Sequence, residues 1–162
     1  MASFDFSGIE NAQTFERGKF FPPDGTFYLK VDKTLVKQTR KSGAGFIAEF
    51  IVLGSTHSDV NAGDKRSWFQ KMADKDVAFP AIKEFMGALL GFSKDDKDEW
   101  KVFESKITGF LKEATDYEGK AEDHPLHGMT IKLTTWNKLT NNGKDFTVHD
   151  WEIWDEDDGI PA

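Results

Sequence analysis

Five stretches of this chain read as strands, the first alternating apolar and polar residues with the two-residue period of a half-buried strand, and one region between them changes to a helical period. That order restricts the chain to small sheet or barrel architectures carrying a helical insertion. The first strand is predicted over 26–38, with Phe27, Leu29, Val31 and Leu35 on one face and Tyr28, Lys30 and Asp32 on the other. A glycine-bearing hairpin loop, Thr39 to Gly45, leads to a second strand over 45–53, apolar on both faces except at Glu49 and therefore read as internal. A third strand is predicted over 64–72.

The period then lengthens. Pro80 suits the first turn of a helix whose apolar stripe is Ile82, Phe85, Met86, Leu89 and Leu90, with Gly91 as its stop. A second helix is predicted over 96–114, and a charged connector follows. Strands over 128–138 and 145–153, joined through the Asn141-Asn142-Gly143 turn, close the chain.

At 162 residues the length is that of one domain, with enough chain for a sizeable core. With no cysteine, disulfide scaffolds and thiolate metal sites are excluded. No stretch approaches the roughly 20 apolar residues of a membrane helix. The N-terminal residues are polar where a signal peptide would be apolar, so a cytoplasmic location is expected.

The formal charge of −7 is unevenly spread. Residues 150–162 hold six acids and no base; without them 22 acids face 21 bases, and the remainder is almost neutral. The segment 30–41 carries five bases against Asp32 alone. The expected organisation is a binding domain over 1–149 and a disordered acidic tail over 150–162. Trp151, Ile153, Trp154 and Ile160 punctuate that tail, as anchors for a partner or for the protein's own basic groove.

Cations that track phosphates, interleaved with flat side chains on which bases stack, are what a sequence-tolerant single-strand binder needs. Candidate residues are Tyr28 and Lys30 on the first strand and Lys37, Arg40 and Lys41 at its hairpin tip. Arg66 and Trp68 on the third strand and Lys132, Trp136 and Lys138 on the fourth complete the set. The third strand carries an aromatic residue and a base on each face, so which face meets a ligand is left open. Five short strands with a helical insertion between the third and fourth fit the five-stranded OB-fold barrel, which binds oligonucleotides, and element order leaves other small α+β barrels open beside it.

The ending WDEDDGIPA resembles the acidic tip of bacterial single-stranded DNA-binding proteins, which closes in Asp-Asp-Ile-Pro-Phe. GTFYLKVD, the glycine hairpin and GFIAEFIVL resemble phage-encoded single-stranded DNA-binding proteins. The resemblance implies an OB-fold (α+β, mainly β) whose barrel holds DNA. It also implies a tip, Asp155, Glu156, Asp157, Asp158, Ile160 and Pro161, that recruits replication, recombination or repair proteins and in some members competes with DNA. Gly159 and the terminal Ala162 depart from the pattern, Ala162 lacking the ring that docks in the usual partner pocket. A homo-oligomer is compatible with the sequence.

Catalysis finds little support. His124 and His127 flank Pro125, which breaks a helical metal-ligand spacing. There is no phosphate-binding glycine loop, nucleophile elbow or HExxH motif. No enzyme activity, cofactor or membrane partner is expected. The alternatives are a carbohydrate- or peptide-binding β module, a small metal-dependent nuclease, or an assembly protein.

Overall fold

The computed structural model describes residues 20–39, 43–73, 75–139, 143 and 145–160. In chain order they form β1 (Gly25–Thr39), β2 (Gly43–Ser55), β3 (Lys65–Lys71), α1 (Lys75–Leu89), α2 (Lys97–Thr115), β4 (Thr130–Leu139) and β5 (Asp145–Ile153). The strands make one antiparallel sheet of order β3-β2-β1-β4-β5. The fold is thus mainly β with two helices. Among the described residues the expected closure is absent: β3 and β5 are the edges of an open sheet, and β5 pairs with β4 alone.

An aromatic cluster spans the gap that hydrogen bonds leave. Trp68 of β3 lies 5.0 Å from Trp151 of β5, and Phe85 of α1 packs 5.4 Å from the first and 4.8 Å from the second. Phe46 and Phe50 of β2 join them edge-on. Each fully buried ring removes enough apolar surface to stabilise the fold by about 2–3 kcal/mol. α1 lays Ala78, Ile82, Phe85, Met86 and Leu89 into this core, and α2 adds Phe103 and Ala114. Ahead of β1, Phe21 packs on Phe27 and Phe50, while Phe20 bridges to Ser67 on the outer edge of β3.

A β-bulge decides which side chains share a face. Val31 opposes Phe50 and Lys33 opposes Glu49, so Asp32 is the extra residue. One inserted residue reverses the alternation of everything after it. Phe27, Leu29 and Val31 point to the core, but beyond the bulge Thr34 does, and Leu35 turns to the outer face with Ile47. This corrects the assignment of Leu35 to the face of Phe27. His127 secures the bulge, its Nδ1 lying 2.9 Å from the Asp32 carbonyl oxygen and 3.5 Å from the Asp32 carboxylate.

Two further expectations change. α1 begins at Lys75, five residues before Pro80, so Pro80 lies inside the helix and forgoes one intrahelical hydrogen bond, with Ala78 buried ahead of it. α2 starts as expected, with the Asp96 carboxylate accepting from the N–H groups of Asp98 and Glu99. The segment read as a disordered tail is also ordered over most of its length. Asp150–Ile153 belong to β5, Trp151 is in the core, and Glu156–Asp158 form a single 3-10 turn.

Candidate nucleic-acid interface

The outer face of β1, β2 and β3 is built by alternation. With Phe46, Ala48, Phe50 and Trp68 turned inward, their neighbours Ile47, Glu49, Ile51 and Phe69 face outward. Cross-strand register then lines up Lys30, Ile51 and Lys65; Lys33, Glu49 and Ser67; Leu35, Ile47 and Phe69; and Lys37, Gly45 and Lys71. Five lysines therefore surround a short apolar strip that ends in the Phe69 ring. In these rows Glu49 is the single acid, 3.7 Å from Lys33.

Gly45 makes room for that ring. A Cβ at position 45 would sit 2.2 Å from the ring of Phe69, so the aromatic side chain lies against bare backbone. The ring is held in place and half-buried, with cations in the rows on either side. Such a surface can pair phosphates with Lys Nζ groups and offer a flat ring to an unstacked base.

The residues singled out from the sequence are dispersed. Lys30 and Lys37 are on this face. Arg40 and Lys41 lie outside the described residues. Trp68, expected to meet ligand, is 4% exposed in the core, because β3 turns its larger aromatic inward and leaves Phe69 outside. Arg66 lies on the inner side too: its guanidinium donates to the carbonyls of Phe20 (3.2 Å) and Asp59 (3.1 Å) and lies 3.7 Å from Asp64. It fastens the N-terminal arm and the β2–β3 loop to the sheet edge.

Tyr28 is outward-facing yet only 7% exposed, since Trp154 covers it at 5.0 Å. The Trp154 indole N–H donates to the Gly159 carbonyl, and its own carbonyl accepts from Thr130 Oγ1. Between them Asp155 and Asp158 form a capping box around the acidic turn. Ile160 ends on Gly54, the cross-strand neighbour of Tyr28. Asp155, Glu156, Asp157 and Asp158 are thus exposed on a short structured loop; Pro161 lies outside the described residues.

On β4, Lys132 lies 3.5 Å from Glu152 of β5. Trp136 is 41% exposed opposite Val148, and Lys138 is exposed opposite Phe146.

Lys33 is not among the sequence candidates, and Lys65, Phe69 and Lys71 are the bases and ring on the other face of the third strand, the face left open from the sequence. Period-two alternation places Lys65, Phe69 and Lys71 on one face, but only burial of Trp68 says that this face is outside, and Lys33 needs the bulge.

The histidines hold structure. His124 is buried; its Nδ1 accepts from the Leu126 N–H, and its Nε2 lies 2.8 Å from the Ala114 carbonyl oxygen and 3.2 Å from that of Thr34. His149 stands between Trp68 and Trp151 at the open seam, where burial lowers its pKa against the opposing effect of a hydrogen bond to the Thr147 backbone. Among the described residues no three His, Asp or Glu side chains are grouped to hold a metal, and no helix is long and apolar enough to cross a membrane. Compared with models of known protein families and with curated proteins, the chain matches none.

Proposed function

We propose that this protein binds single-stranded DNA without sequence preference, in replication, recombination or repair, and uses the outer face of β1–β3 to do so. The observation that carries this reading is the set of five lysines around Phe69 on a face with one acid. Lysines in three of the four rows suit a flexible polyanion that runs across the strands, and a single ring suits any base. The strand order and the helices between β3 and β4 agree with an OB-type barrel whose β3–β5 seam is left open, a fold that binds oligonucleotides on its second and third strands. Duplex DNA is the poorer fit, since α2, Lys97–Thr115, the longest helix among the described residues, is mixed in charge and lacks a basic recognition surface. In this reading the acidic loop at 155–160 recruits partner proteins.

Fluorescence anisotropy of a labelled oligo(dT) tests the proposal. Neutralising about five phosphates gives a slope near −3.5 for log affinity against log salt. Affinity insensitive to salt, or equal affinity for duplex of the same length, overturns it.

A further inference from the structure

β5 is an edge strand, and a cavity of about 380 Å³ runs beside its last turns of pleat. Glu84 and Ala88 of α1, residues 92–95, Trp100 of α2 and residues 150–153 of β5 form its walls. None of these belongs to the β1–β3 face.

Three observations meet there. The first is a strand edge with no pairing partner among the described residues. The Val31 N–H donates to the Met129 carbonyl, so odd-numbered residues along β4 point their backbone groups to β1 and even-numbered ones to β5. Lys132 opposes Glu152 and Thr134 opposes Asp150, which leaves the N–H and C=O of Trp151 and Ile153 turned away from β4. The second is the indole Nε1 of Trp151. That side chain is 4% exposed, and its Nε1 is the one buried side-chain polar atom without a partner among the described residues. A buried donor without an acceptor is costly, and native folds leave few of them. The third is charge: Glu84, Asp95, Asp150 and Glu152 line the cavity and Lys94 is the one base in its lining, 3.8 Å from Glu84, while Lys132 beyond the lining lies 3.5 Å from Glu152.

We propose that this cavity is the docking groove for an extended basic segment of a partner protein. The segment adds as a further strand along β5 and sets Lys or Arg side chains among the four carboxylates. Main-chain pairing supplies affinity that any extended peptide would share, and the acids select a basic one. The inference stands apart from the nucleic-acid reading, since it uses neither the lysines nor Phe69.

NMR of the ¹⁵N-labelled full chain tests it, with a short peptide of alternating Lys and Thr compared with one of alternating Glu and Thr. The basic peptide is expected to shift the Trp151 indole signal and the amides of Trp151 and Ile153 saturably, and the acidic peptide to leave them in place. A double variant, Glu84→Gln with Asp150→Asn, weakens the basic peptide by about three- to tenfold, as loss of two partly exposed ion pairs would, while oligo(dT) affinity is unchanged. Unmoved signals, or equal shifts with both peptides, overturn the proposal. So does a dimer in sedimentation that the basic peptide cannot displace, for then a second copy of the chain holds the groove.

Discussion

The outer face of the sheet has two halves that share one pleat and differ in what stands across from each cation. On β1–β3, Lys30 and Lys65 flank Ile51 and Lys37 and Lys71 flank Gly45, and Lys33 alone among the five stands opposite an acid, Glu49. On β4–β5, Lys132 faces Glu152 and Thr134 faces Asp150, while Trp154 and Ile160 cover the border at Tyr28 and Gly54. A lysine opposite a carboxylate is largely compensated within the protein; one opposite isoleucine or glycine keeps its field for an outside anion. A net charge of −7 therefore coexists with a strongly basic surface. The sign of a binding face is set by cross-strand neighbours, not by the sum over the chain.

The largest expected effects separate adjacent residues of β3. Trp68→Ala removes the ring that bridges the two edge strands and should cost about 3–5 kcal/mol of stability in urea unfolding. Phe69→Leu keeps apolar volume over Gly45 and removes the flat ring. It should leave the unfolding midpoint nearly in place and weaken oligo(dT) by about 1–3 kcal/mol. If Phe69→Leu binds like the parent, the β1–β3 half loses its claim to stack bases.

That division was only half legible in the sequence. Strand positions, the α2 cap and the closing hairpin follow from local pattern, because alternation and capping are properties of a few consecutive residues. Which face of β3 is buried is not local: Trp68 and Phe69 are both large and aromatic, and the choice rests on Trp151 and Phe85, both distant in sequence. The Asp32 bulge escaped because its cause, the contact with His127, lies 95 residues away. The acidic end misled for the same reason. Charge density argued for disorder, while Trp154 and Ile160 had docking sites at Tyr28 and Gly54 that only the assembled sheet provides.

A smaller effect sharpens the contrast between the halves. Lys65→Ala should weaken oligo(dT) and reduce the salt slope by about 0.7, the signature of one lost phosphate contact. Lys132→Ala should leave the slope unchanged, because it removes a charge that Glu152 already balances. Equal losses from the two substitutions would show that the halves act as one continuous surface.

The smallest expected effect lies where the halves meet behind the sheet, at His149. Burial between Trp68 and Trp151 lowers its pKa from the unfolded value of 6.5, so in acid the unfolded chain takes up a proton before the folded one. Stability contributed by the neutral ring is complete above pH 6.5 and is lost as pH falls through the lower, folded value. Urea unfolding of the parent and of His149→Gln, followed across that range, should show the parent losing more stability towards acid, the other histidines contributing equally to both. A steeper decline in the variant would reverse the sign and mean that the protonated ring is the form held at the seam. Parallel profiles would mean that the aromatic bridge between β3 and β5 holds without regard to the charge on this ring.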